Sequence, residues 1–245
     1  MRWFVFFGLL AVLAFSASAV NIGNCTTLDN SSASPYVLTA NVSLFTNATG
    51  LGGNSACMNV TANNVTLDCN GFTLMGNFTG ETHAINVSNT TINTTIKNCK
   101  IMNFSRAFAI VNANNTVIDN NTFYNNTGAI EWLFNLAGHP GSWNVTIKNN
   151  VFLLNGNSSV TNGAADVFLS NVDSPLLNVS YNNFTLSNGS GIWSVGNATI
   201  MRNRFVNVSG PAVYIQNGSW SNITYNVFLN SSLKGNLGVT NSSQA

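Results

Sequence analysis

The sequence predicts an all-β solenoid, a parallel β-helix of short stacked strands, and three observations predict it. The first is a repeat: an apolar residue, two free positions, Asn, one free position, then a large apolar residue. Seven copies end at Phe72, Ile101, Phe123, Phe152, Phe184, Phe205 and Phe228. Their leading apolar residues, five positions earlier, are Leu67, Ile96, Ile118, Ile147, Val179, Ile200 and Ile223. The second observation is spacing. Successive copies are 29, 22, 29, 32, 21 and 23 residues apart, too short for each to enclose a core of its own, so each must stack on its neighbours. The third is the alternation of apolar and polar residues at period two, broken by Asn and Gly turns, with no helical periodicity after the N-terminus.

Each coil then carries three short strands, with rows led in the central copy by Ile130, Ile147 and Phe152. The row preceding each copy reads Met58/Val60, Ile85/Val87, Ile110, Ile130/Trp132, Val167/Leu169, Trp193/Val195 and Val213/Ile215. Asn59, Asn86, Glu131, Ser194 and Tyr214 alternate with these and face outward. On this reading Trp193 belongs to the core. The Asn of the repeat is Asn70, Asn121, Asn150, Asn182, Asn203 and Asn226, with Cys99 in the second copy. A column of stacked amides donates in one direction and accepts in the other, forming an Asn ladder. Asn also tolerates the left-handed backbone that a tight corner between sheets requires.

The run Asn64-Val65-Thr66-Leu67-Asp68-Cys69-Asn70-Gly71-Phe72-Thr73-Leu74 resembles the opening coil of right-handed parallel β-helix proteins with pectin-lyase-like repeats, especially secreted or surface-anchored ones from archaea. Thr95 to Ile101 and Asn120 to Asn126 are similar to the repeats that follow. The resemblance covers about Met58 to Leu229 and implies a right-handed helix of about seven coils. It does not imply an activity, because this scaffold carries lyases, hydrolases, epimerases, adhesins and structural proteins alike.

Taken in order, residues 1–19 read as a signal peptide, with Arg2, the apolar run from Trp3 to Phe15 and the small residues Ala17-Ser18-Ala19. A retained N-terminal anchor is the competing reading, and no later stretch is apolar enough to span a membrane. Residues 20–53 form an N-terminal cap segment, in which Tyr36-Val37-Leu38 begins the stack and shields its open end. Residues 54–230 hold the coils, and residues 231–245 are a polar tail.

All four cysteines lie in the first hundred residues, and an even count in an exported chain favours disulfides among three possible pairings. Cys69 and Cys99 fall at the same corner of adjacent coils, which favours their pairing and leaves Cys25 to join Cys57. A metal site is the alternative, but no CxxC pair or clustered His accompanies them, so no metal and no cofactor is expected.

Charged residues make up 6% of the chain, against about 25% in typical soluble domains. Removing Arg2 leaves seven basic and seven acidic side chains, a neutral surface with no footprint for nucleic acid. Asn-x-Ser/Thr sequons recur from Asn24 to Asn241, with turn positions Asn77, Asn89, Asn157, Asn188 and Asn217 the best glycosylation candidates.

Enzymes on this scaffold need acids grouped on one exposed sheet. Here Asp68, Lys97, Asp119 and Lys148 follow the same apolar column in successive coils, an outward ladder of alternating charge that serves register rather than catalysis. The remaining acids, Asp29, Glu81, Glu131, Asp166 and Asp173, form no recognisable motif, and no catalytic residue is expected. One irregular place is the 17-residue step from Ile130 to Ile147. Glu131, Trp132, His139 and Trp143 lie there as a candidate carbohydrate site, set against the plainer reading that Trp132 is core and the loop decorates a coil. The expected function is structural, a secreted or cell-surface component that self-associates through coil ends or sides. The alternative is a glycan-binding or adhesin module, and a polysaccharide lyase or hydrolase stands third.

Overall fold

A computed structural model describes residues 19–43, 55–78, 82–87, 91–111, 113–133, 144–156, 165–170, 177–216, 221–235, 239–240 and 243–244. Every named strand pair is parallel, and the strands gather into three sheets of ten, nine and nine strands. In the coil at the centre of the chain, Val145–Lys148 lies in the first sheet, Val151–Leu153 in the second and Ala165–Ser170 in the third. The stack is therefore deeper than the seven coils expected. Strands at Val20–Ile22, Thr26–Leu28, Tyr36–Leu38 and Val42–Ser43 extend it at one end, and Ser232–Gly235, Val239–Thr240 and Ser243–Gln244 at the other.

The apolar column of the first sheet runs in register from Leu67 through Ile96, Ile118, Ile147, Val179 and Ile200 to Ile223. That of the second runs Leu74, Ile101, Phe123, Phe152, Phe184, Phe205, Phe228. Its first member corrects the sequence alignment: Leu74, fully buried, takes the place expected of Phe72, which is only half-buried. Asn70 and Gly71, both at positive φ, make a turn closed by the Phe72 N–H donating to the Cys69 carbonyl at 2.8 Å, and this turn lengthens the corner by two residues. Asn70 is consequently exposed and outside the ladder.

From Asn121 onward the ladder forms as expected. The N–H and Nδ2 of Asn121 both donate to Asn150 Oδ1, at 2.8 and 3.1 Å. Asn150 does the same to Asn182, while its Nδ2 also donates to the Ile118 carbonyl at 2.9 Å. Asn203 and Asn226 continue the column, and the Cys99 N–H begins it by donating to Asn121 Oδ1. A buried amide so placed pairs both a main-chain N–H and a main-chain carbonyl of the preceding coil.

Five phenylalanine rings, Phe123 to Phe228, stack face to face at 4.5 to 5.1 Å and within 8° of parallel. Small residues in the third sheet make room for rings: an added Cβ at Gly191 would lie 3.0 Å from the Phe205 ring and 2.7 Å from the Ala212 carbonyl oxygen. The same strand position holds Cys57, Ala84, Ala107 and Ala129 in earlier coils. In one coil it holds Asp166, which is fully buried.

Asn also fills most corners because they are left-handed. Asn64, Asn93, Asn115 and Asn144 line one such column, and Asn98, Asn120 and Asn149 another, all with φ between 52° and 61°. Side chains without Asn's local hydrogen bonding lose roughly 1–2 kcal/mol in this conformation. Both expected disulfides are present, Cys25 to Cys57 and Cys69 to Cys99.

Candidate functional site

The third sheet has the longest strands, and its outward column carries the functional candidates. In register it reads Asn59, Asn86, Ala109, Glu131, Phe168, Trp193, Tyr214. These point away from the core because the preceding residues, Met58, Ile85, Phe108, Ile130, Val167, Ile192 and Val213, are buried; Ala109 is itself covered and the others are half-buried. Asn86 Nδ2 donates to Asn59 Oδ1 at 2.9 Å. Glu131 forms an ion pair with Arg106 of the neighbouring coil. Beyond it come three aromatic residues: Phe168 meets Trp193 edge-on at 5.5 Å, and Trp193 meets Tyr214 at 5.2 Å with a 54° tilt.

Trp193 thus corrects the expectation that it is core. Its strand is registered one residue from the sequence alignment, Ile192 takes the inner column, and a one-residue slip sends every side chain to the other face. Its indole Nε1–H has no partner among the described residues. Of the four residues expected to bind carbohydrate, Glu131 lies on this strip. Trp132 pairs with Ile110 and Leu169, in the column of buried Val60, Val87 and Ile215 rather than in that of Glu131. His139 and Trp143 lie outside the described residues, as do glycosylation candidates Asn89, Asn157 and Asn217. Asn188 is exposed and Asn77 half-buried.

Among the described residues, Asp68, Asp119 and Glu131 each sit beside a basic side chain. Paired-carboxylate catalysis needs two acids across one bond, whereas Glu131 is matched by a guanidinium. Asp68 and Asp119 pair with Lys97 and Lys148 at 3.3 and 3.5 Å, the expected charge ladder. Partial burial works to raise the Asp68 carboxyl, but hydrogen bonds from Asn98 and the Asn70 N–H, together with Lys97, hold it below the usual carboxylate range. Asp166 is pushed the other way, up to about 7, by complete burial, which hydrogen bonds from Ser187 and Asn155 only partly offset. Its Oδ1 has no partner among the described residues. A polar groove along the corner between the second and third sheets, lined by Asn125, Thr127, Leu154, Asn188 and Ser209, contains no ionisable side chain among those residues. Among the described residues no group of three or more His, Cys, Asp and Glu could hold a metal ion, and no helix is long and apolar enough to cross a membrane.

Three half-buried aromatic rings beside one neutralised ion pair make this the most apolar stretch of that outward column.

No curated protein and no solved structure matches the chain. The family model of the right-handed beta helix region matches residues 83–245, about two thirds of the sequence. With three parallel sheets, an inner Asn ladder and a stacked aromatic core already in place, that match shows that the chain belongs to the right-handed β-helix family.

Proposed function

We propose that this protein is a structural component of a cell surface or extracellular matrix, exported by its N-terminal segment and assembling with copies of itself. The observation that carries the reading is the pair of ends. Among the described residues, the outermost strands of all three sheets have a neighbour on one side only: Val20–Ile22, Thr26–Leu28 and Val42–Ser43 at one end, Ser232–Gly235, Val239–Thr240 and Ser243–Gln244 at the other. Such strands are templates for further pairing. The two disulfides suit an oxidising compartment, and the Phe stack and Asn ladder make length the product of the fold. Light scattering and negative-stain microscopy over a concentration series test this. Rods longer than one chain, growing with concentration, are expected; a monodisperse monomer at every concentration overturns the assembly reading.

The aromatic strip of the third sheet favours a second reading, a carbohydrate-binding surface. On a glycan array the wild type then binds a neutral oligosaccharide, and Trp193→Ala weakens that binding tenfold or more, about 1.4 kcal/mol. Equal binding by both proteins rejects the strip as the site.

A further inference from the structure

At the corner between the first and second sheets, the left-handed position changes character partway along the stack. Asn98, Asn120 and Asn149 occupy it in three coils, and Tyr181, Arg202 and Tyr225 in the next three, at φ 57°, 55° and 56°. The asparagines satisfy one another and their neighbours: Asn120 Nδ2 donates to Asn98 Oδ1, Asn98 Nδ2 to Asp68 and Asn149 Nδ2 to Asp119, each at 2.8 Å. The larger residues do not continue that ladder. Tyr181 and Tyr225 are 50% and 56% exposed, and exposed Arg202 stands between them, its guanidinium carbon 5.3 and 5.8 Å from the two ring centroids. Its Nη1 donates to the Tyr181 hydroxyl.

We propose that Tyr181, Arg202 and Tyr225 form a binding strip for an acidic glycan, a polysaccharide carrying carboxylate or sulfate groups. This goes beyond the assembly reading and does not depend on it. Phe78, Leu154 and Leu186 take left-handed corners as well, so what marks this surface is its side chains, a guanidinium held between two exposed phenol rings in successive coils. The tyrosines hold Arg202 without neutralising it. The chain has no Asp or Glu after Asp173, whereas Lys97 and Lys148 on the same edge have acid partners. Arg204, two residues on, is exposed as well, with Nη1 3.5 Å from Asn183 Oδ1. A guanidinium fork matches the paired oxygens of carboxylate or sulfate. Tyrosines two coils apart, about 9.6 Å at ~4.8 Å per coil, add apolar contact and hydroxyl hydrogen bonds along an extended sugar chain. Nucleic acid would demand a broad basic field, and the net charge is only +1.

The test uses the full chain with alginate, dextran sulfate, neutral dextran and poly-glutamate. Both acidic polysaccharides bind, more weakly as salt rises; dextran and poly-glutamate do not, and Arg202→Gln weakens binding tenfold or more. The triple variant Tyr181→Asn, Arg202→Asn, Tyr225→Asn loses binding yet melts at or above the wild-type temperature, because it extends the Asn column and relieves the corners. The proposal is overturned if neither acidic polysaccharide binds, if Arg202→Gln binds like wild type, or if poly-glutamate binds as tightly. It is overturned equally if the triple variant melts below wild type, which would make the strip a structural element.

Discussion

Replacing Phe152 with alanine is expected to lower stability by about 3–5 kcal/mol, the range for emptying a buried aromatic site. The ring is fully buried and lies between Phe123 at 4.8 Å and Phe184 at 4.5 Å, so its removal leaves a gap in a continuous stack. Collapse cannot heal that gap easily, because the coil spacing is set by main-chain hydrogen bonds on all three sides. In a solenoid each coil is stabilised by the two beside it, so the loss falls on both interfaces of this coil. Thermal unfolding should show a fall on the order of 10 °C. Val151→Ala, at an exposed position beside it on the same strand, should stay within about 0.5 kcal/mol of wild type. If Phe152→Ala melts with the wild type, the aromatic column is not what holds the coils together.

The features legible in the sequence were those repeated in every coil. Ile147, Phe152 and Asn150 recur at fixed offsets, and a periodic signal of that kind survives variable loops between copies. Single departures from the period were illegible. The Asn70-Gly71 turn displaces Phe72 by two residues, and nothing in the local pattern separates Phe72 from Leu74 as the core residue. In Gly191-Ile192-Trp193-Ser194-Val195 two alternations fit equally well by hydrophobicity; only the partners Val167 and Val213 decide that Ile192 turns inward. The second amide column, Asn126 and Asn155, sits three residues after Phe123 and Phe152 and could have been found by testing that offset. It ends where Ser187 replaces Asn, a break that hides it in a count of repeats. The strip of Tyr181, Arg202 and Tyr225 was visible only as a departure from the Asn corners, once the corners themselves were known to be left-handed.

Asp166 is where sequence and packing disagree most, and it should give the protein an unusual pH dependence. Its coil position holds Ala129 in the coil before and Gly191 in the coil after, so a carboxyl stands in a column otherwise kept small and apolar. Ser187 and Asn155 hydrogen-bond it, but neither is charged, and burial raises its pKa from 3.8 to about 7. In the interval between those values the unfolded chain has already released a proton that the folded protein keeps. Raising the pH there favours the unfolded state. The contribution of this group is therefore most favourable below the unfolded value and is lost as pH rises through the folded one. The loss amounts to roughly 4 kcal/mol, more than half of it between about pH 5 and pH 8. Asp166→Asn keeps the shape of the neutral acid and removes the titration. The variant should match wild type near pH 3, melt modestly higher at pH 5 and several degrees higher at pH 8, and show a flatter slope between. A wild-type melting temperature unchanged from pH 5 to 8, or an Asn variant with the wild-type slope, would show that the Asp166 carboxyl is not the group that titrates.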